Sequence, residues 1–195
     1  MRRLWILLFL LLPALAQARE TVLPNHEPYG KVLRRYTKKG EYNNWQDLHT
    51  QLIWYATYAS DEFREAFREE YAKVYPQGQD QKAQVRAAPF LAKDPEATFF
   101  LALYAEKREM AEMGDDKSLQ DVNLEVDGRF YKPKLVEKLP TTQFEIYFFH
   151  YVNLWFKTYR VVFPFEGLRN REVPFKLHLD GVAGNITLNF KAQKK

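Results

Sequence analysis

The stretch DVNLEVDGRFY, residues 121–131, decides the fold class of the C-terminal half of the chain. Its apolar residues alternate with acids and amides, and this period of two is typical of a strand with one buried face. Asp127 and Gly128 follow directly, and this pair favours a two-residue turn because both turn positions need a positive φ. The stretch therefore predicts a β-hairpin whose second strand begins at Arg129.

Apolar runs on both sides of this hairpin predict further strands. The runs are residues 99–104, 144–163 with a break near Asn153, 175–179 and 186–190. About seven short strands with turn signals between them are typical of an antiparallel sandwich of immunoglobulin-like kind. We therefore expect residues 97–191 to form one β-sandwich domain.

The preceding part of the chain shows helical spacing instead. In residues 44–76, apolar side chains recur at steps of three and four, which predicts a helical segment with Asn44 as its N-cap. Ser60 is a second capping signal, so this segment could be two helices that meet there. Residues 77–96 are polar and are interpreted as a linker. The predicted fold class is α+β, with the N-terminal helical segment packed on the C-terminal sandwich.

The first residues have the pattern of a secretory signal peptide. Residues 1–18 combine a basic start, an apolar run and small residues before a cleavage site near Ala18. This pattern predicts export by the general secretory route, to the periplasm or the medium, and a soluble chain after cleavage. An irregular basic arm, residues 19–43, and a short basic tail, residues 192–195, would flank the folded part.

The composition excludes several classes of protein. The chain has 195 residues, 46% of them hydrophobic, which is incompatible with an intrinsically disordered protein. The absence of cysteine excludes a disulfide scaffold, a thiolate zinc site and a thiol nucleophile. Removal of two arginines with the signal peptide leaves 27 bases against 25 acids, a charge of +2. This charge is too small to indicate nucleic-acid binding.

No catalytic signature is visible, so we expect a non-catalytic protein without a cofactor. The serines of the mature chain, Ser60 and Ser118, do not lie in a Gly-x-Ser-x-Gly motif, and no glycine-rich phosphate loop occurs. An extracytoplasmic hydrolase that uses a pair of carboxylates remains an alternative. The candidate carboxylates are Glu125, Asp127, Glu145 and Glu166.

The acids of the hairpin are weak candidates for a metal site. Calcium prefers six to eight oxygen ligands, and four oxygen-bearing side chains share one strand. The same alternation is typical of an ordinary solvated strand face, which is the interpretation we favour. The candidates are Asp121, Asn123, Glu125 and Asp127.

Basic residues interleave with aromatic ones in two predicted strands, and this composition is typical of protein-binding surfaces. The residues concerned are Arg129, Tyr131, Lys132, Tyr159 and Arg160. The sequence therefore favours an assembly or binding protein of the bacterial cell envelope that recognises another protein through a face or edge of the sandwich. A glycan-binding module centred on Trp155 is the alternative within binding functions, because flat rings can stack on sugars.

A second basic cluster lies in the N-terminal arm. It could contact an anionic membrane surface or a cell-wall polymer. Residues 41–73 are net acidic, however, so the arm could equally fold back on them. The cluster consists of Lys31, Arg34, Arg35, Lys38 and Lys39.

Overall fold

A computed structural model describes residues 27–44, 49–76, 80–92, 96–114, 118–166, 168, 174–182 and 184–191. In these ranges the chain is α+β, with four α-helices and two antiparallel sheets that together contain nine strands. The predicted signal peptide, residues 1–18, and the predicted tail, residues 192–195, lie outside the described residues.

The elements follow one another in mixed order along the chain. The helices are α1 (Glu27–Tyr36), α2 (Asp61–Val74), α3 (Gln81–Leu91) and α4 (Gln143–Phe148). The strands are β1 (Thr37–Asn44), β2 (His49–Tyr58), β3 (Glu96–Ala105), β4 (Gln120–Val126), β5 (Arg129–Tyr131), β6 (Leu135–Leu139), β7 (Lys157–Glu166), β8 (Phe175–Gly181) and β9 (Ile186–Phe190). A 3₁₀-helix, Arg108–Ala111, follows β3.

The two sheets and the helices form three layers. The strand orders are β1-β2-β3-β7-β6 and β5-β4-β8-β9. Phe99 on β3 contacts the second sheet, with ring centroids 5.9 Å from those of Phe175 and Phe190. On the opposite face, Phe100 stacks at 3.6 Å on Phe149, which follows α4, and lies 6.0 Å from Phe90 of α3. Strand β3 is therefore buried on both faces, which explains its unbroken apolar sequence from Phe99 to Ala105.

The predicted hairpin is confirmed. Strands β4 and β5 pair antiparallel across Asp127 and Gly128, whose φ angles are 52° and 75°. A positive φ at both central positions is the requirement of the two-residue turn that the sequence indicated. The apolar residues of β4 and the buried Gln120 point into the sandwich, and Asp121, Asn123 and Glu125 point outward.

The helix predicted from Asn44 is wrong over its first half. Residues 49–58 form β2, which pairs with β1 on one side and β3 on the other. The side chains of Leu52, Trp54 and Ala56 point to the same side and are buried. Among the described residues of this segment only α2 is helical, and Ser60 caps it by accepting a hydrogen bond from the backbone N–H of Phe63 at 3.1 Å.

Three other segments differ from their predicted structure. The predicted linker contains α3, which Asp80 caps through its side chain. The predicted strand near residue 144 is α4, whose N-terminus carries a capping box formed by Thr142 and Glu145. The predicted irregular arm contains α1 and most of β1.

An immunoglobulin-like arrangement is not confirmed. In that arrangement the first strands of the chain soon cross between the two sheets. Here β1, β2 and β3 are consecutive neighbours in one sheet, and the helices are distributed along the chain.

Candidate functional site

A groove of about 820 Å³ lies between α3 and the strands β6 and β7. We refer to it as the α3–β6 groove. Its lining combines basic side chains with apolar ones and with a single acid. The lining residues are Gln81, Lys82, Val85, Arg86, Ala88, Pro89, Ala92, Thr98, Glu137, Lys138, Leu139, Pro140 and Arg160.

The buried side chain of Arg64, on α2, fixes the C-terminal end of α3 along the groove. Its guanidinium donates hydrogen bonds to the carbonyl oxygens of Pro89 at 2.8 Å and Ala92 at 2.7 Å. A third bond goes to the carbonyl oxygen of Ala59 at 2.9 Å. Hydrogen bonds from a charged donor are among the stronger ones in proteins. The groove wall is therefore held by a buried cation rather than by apolar packing alone.

Two arginines of the groove are held in place by acids. Arg160 pairs with Glu137, opposite it in the register of β6 and β7, with an Nη2–Oε2 distance of 2.7 Å. Arg86 lies 3.3 Å from the buried carboxylate of Glu145 and also donates to the Thr142 hydroxyl. Both guanidinium groups are thus oriented before any ligand arrives, which lowers the entropy cost of binding.

Lys138 at the rim belongs to a second network. It contacts Glu112 at 2.8 Å, and the same carboxylate contacts Lys157 at 2.6 Å and the Tyr159 hydroxyl at 3.1 Å. Burial alone would raise the pKa of Glu112, but the hydrogen bonds from Lys138, Lys157 and Tyr159 lower it to about 2. Glu112 is therefore ionised at neutral pH and holds the lysines by charge.

The lining has a positive charge excess next to an apolar surface. Four bases line the groove, but Lys138 directs its ammonium to Glu112 on the other face of β6, so three basic groups and one acid face the groove, a difference of +2. Glu112 and Glu145, which pair with two of these bases, do not line it. Val85 of α3 is 71% exposed, and Leu139 and Pro140 lie on the opposite wall. The groove is therefore suited to an anionic group that is flanked by apolar side chains.

The predicted aromatic–basic surface is not one surface. Of its members, Arg160 lies in the groove, but Tyr159 is fully buried and donates a hydrogen bond to the carbonyl oxygen of Ala111 at 2.8 Å. Tyr159 therefore cannot anchor a partner, because its side chain points between the sheets. Neighbouring residues of a strand point to opposite faces, so Tyr159 and Arg160 cannot share the one binding surface that was predicted for them.

The remaining predicted residues lie on the other sheet or in a turn. Arg129 and Tyr131 belong to β5, at an edge of the four-stranded sheet, and the Tyr131 ring packs 4.9 Å from Phe165. Lys132 is exposed in the link that leaves β5. Trp155 lies in the turn before β7 and is 69% exposed.

The acidic residues of the hairpin lie on the outer face of β4. The Glu125 carboxylate contacts the His178 Nε2 atom at 2.7 Å and the Lys176 ammonium at 3.1 Å. The hydrogen bonds from His178 and then Lys176 lower the pKa of Glu125. Asp121 and Asn123 share this face, and Asp127 lies in the turn. Within the described ranges, no group of three or more histidines and acids is placed to hold a metal ion.

The carboxylates considered for hydrolysis are distributed over different parts of the fold. Glu125 lies on the outer face of β4, Glu145 is buried at α4, and Glu166 ends β7. A general acid needs a raised pKa. The pKa values of Glu112 and Glu125 are lowered instead, so neither of these two groups is suited to that role.

In the basic cluster of the N-terminal arm, the first three residues belong to α1, which packs against α2, and the last two belong to β1. Arg35 forms an ion pair with Glu62 of α2, and the Tyr36 hydroxyl donates to the same carboxylate at 2.6 Å. Lys39 pairs with Glu41 on β1. At these positions the basic residues pair with acids of residues 41–73. This is the alternative in which the arm folds back on that segment.

The residues on the α3 side of the groove were not predicted as binding residues: Lys82, Val85 and Arg86. These residues fell in the predicted linker, although Asp80 supplied a usable capping signal.

None of the helices in the described ranges has both the length and the apolar character needed to cross a bilayer.

No protein-family model, curated protein or solved structure matches this chain. The geometry and chemistry of the α3–β6 groove therefore carry the functional conclusion.

Proposed function

We propose that this chain is an exported, non-catalytic recognition protein of the bacterial cell envelope that binds another protein in the α3–β6 groove. One observation carries the proposal: the groove presents the basic groups of Lys82, Arg86 and Arg160 and a single acid beside apolar side chains. Arginine is enriched at protein interfaces, where its planar guanidinium pairs with carboxylates. The partner segment then carries a carboxylate next to apolar residues.

Export is part of the same proposal. Residues 1–18 have the basic, apolar and small-residue pattern of a signal peptide, and the chain contains no cysteine that an oxidising compartment would modify. A preformed groove without a recognisable catalytic constellation fits an assembly component better than an enzyme.

The decisive experiment is capture of the partner with a matched pair of variants. The tagged chain is expressed in a bacterial host and crosslinked, and bound envelope proteins are quantified. We expect Val85→Asp, in the groove, to abolish capture of the specific partner, because it adds an acid to an anion-binding site. Val182→Asp is the control, since Val182 is also 71% exposed but does not line the groove. Equal capture by both variants would contradict the proposal.

A glycan site at Trp155 is the second candidate function. The exposed ring lies in a turn where the Trp155 backbone N–H binds the Asn153 side-chain oxygen at 2.9 Å. An exposed, positioned aromatic ring can stack on a sugar face. Binding of envelope glycans that is lost in Trp155→Ala and retained in Val85→Asp would favour this candidate over groove recognition.

A further inference from the structure

The groove is bordered by an edge strand. Strand β6 ends the five-stranded sheet, with β7 on one side and, in the described ranges, no strand on the other. All five of its residues are exposed or half-buried. The backbone N–H and C=O groups on the free side of an edge strand can pair with an additional strand. β6 therefore offers main-chain hydrogen bonds directly beside the groove.

Lysines lie along this edge. Lys134, immediately before β6, contacts Glu96 at 3.0 Å, and Lys138 within β6 contacts Glu112. Both side chains remain more than half exposed. Edge lysines oppose pairing with neutral or basic strands, because an ammonium group would have to lose water without gaining a partner. Lys138 alternates with Glu137 and lies opposite Tyr159, so its side chain is on the face of β6 away from the groove. The preference for acidic side chains in the groove therefore comes from Lys82, Arg86 and Arg160.

Strand alternation connects the edge to the groove. Leu139 and Glu137 line the groove, and Glu137 lies opposite Arg160 in the register with β7. A strand added to β6 continues this pleat, so every second side chain of the added strand faces the groove. Acids at these positions would meet Arg160, Arg86 and Lys82, and the residues between them would lie on the opposite face of the added strand.

On this basis we infer that the partner segment binds as an additional β-strand on β6, with acidic side chains at alternate positions that enter the α3–β6 groove. The inference rests on the proposed function and specifies its ligand: an extended, acidic segment of another protein. Main-chain hydrogen bonds supply affinity in this mode, and the side-chain pockets supply specificity.

The test uses three synthetic hexapeptides with blocked ends. The first alternates valine and glutamate, the second alternates valine and lysine, and the third is the glutamate peptide with N-methylated backbone amides. Binding to the full chain is measured by calorimetry, and amide hydrogen exchange is followed at Leu135, Glu137 and Leu139. We expect the glutamate peptide to bind at least about tenfold more tightly than the other two, and to slow exchange in β6. Val85→Asp should weaken this binding, and Val182→Asp should not.

The outcomes separate the inference from the proposed function. Equal binding of the glutamate peptide and its N-methylated form would overturn strand addition while leaving recognition of acidic segments in the groove intact. Equal binding of the glutamate and lysine peptides would overturn the acidic preference. If no peptide binds, strand addition by an acidic segment is wrong, and the proposed function is then decided by partner capture with Val85→Asp and Val182→Asp.

Discussion

The α3–β6 groove and the outer face of the four-stranded sheet both carry many charges, but they use them differently. On the outer face, Glu125, Lys176 and His178 pair with one another across neighbouring strands. In the groove, Arg86 is oriented by a buried acid outside the lining, and its guanidinium borders a concave space. The side chains of Glu125 and His178 are half-buried and already satisfy one another, so they offer little to a ligand. Arg86 and Arg160 are paired as well, but they border a concave space in which an anionic group can also contact them.

The largest expected effect on stability comes from a substitution in the groove wall. We expect Arg64→Ala to lower the free energy of unfolding by about 2–4 kcal/mol, because three carbonyl oxygens lose a charged donor in a buried site. Urea denaturation measures the loss. Arg129→Ala, on the exposed edge of the other sheet, is the control and should change stability by at most about 0.5 kcal/mol. Comparable losses in both variants would mean that the hydrogen bonds of Arg64 do not hold α3.

The strand and turn at residues 121–131 were predictable because every local signal agreed. Apolar alternation, an Asp-Gly turn and acids on the solvated side all point to one hairpin. Strand β2 was not predictable in the same way. Its residues satisfy a spacing of three and four as well as a period of two, and only pairing with β1 and β3 selects the strand.

The groove could not be predicted because its two walls are far apart in sequence. Arg86 lies in a polar segment without a strong helical period, and Arg160 lies in a strand where its neighbour Tyr159 has the same aromatic–basic character. The sequence indicated Arg160 as a binding residue but gave no means to separate it from Tyr159, since the strand register decides which of them faces the groove. Topology, rather than composition, assembles the site.

A smaller effect on stability is expected from the two carboxylates Glu112 and Glu125, and it differs between them. The folded-state pKa of Glu112, about 2, lies below its ordinary value of 4.5, so its ionised form stabilises the fold above pH 4.5. This contribution is lost as the pH falls from 4.5 toward 2. We expect Glu112→Gln to lower stability at pH 7 by about 1–2 kcal/mol, since partial exposure screens the ion pairs.

The measurement for Glu112 is denaturation of the wild type and of Glu112→Gln across pH 2–7. The difference between the two proteins should shrink as the pH decreases and Glu112 becomes protonated. Glu125→Gln serves as the comparison and should have a smaller effect at neutral pH, because its partners lie on an open face. A difference for Glu112→Gln that is independent of pH would show that shape rather than charge matters at this position.

The Asp127–Gly128 turn gives an effect of similar or smaller size on the outer sheet. Gly128 has a φ of 75°, and a Cβ built there meets nothing within 4 Å, so Gly128→Ala changes backbone strain alone. We expect a loss of about 1 kcal/mol in the free energy of unfolding, with no change in groove binding. Reduced peptide binding by Gly128→Ala would show that the outer sheet and the groove are coupled.

The smallest expected effect concerns metal ions at the outer face. The Glu125 carboxylate is already occupied by Lys176 and His178, and a calcium ion would have to displace both cations to use it. We therefore expect the same melting temperature for the wild type in millimolar calcium and in excess chelator. The melting temperature of Asp121→Asn should likewise be the same in calcium and in chelator, because the Asp121 carboxylate does not bind an ion. A rise in melting temperature with calcium that disappears in Asp121→Asn would assign the acidic face to ion binding and would reverse the contrast with the groove.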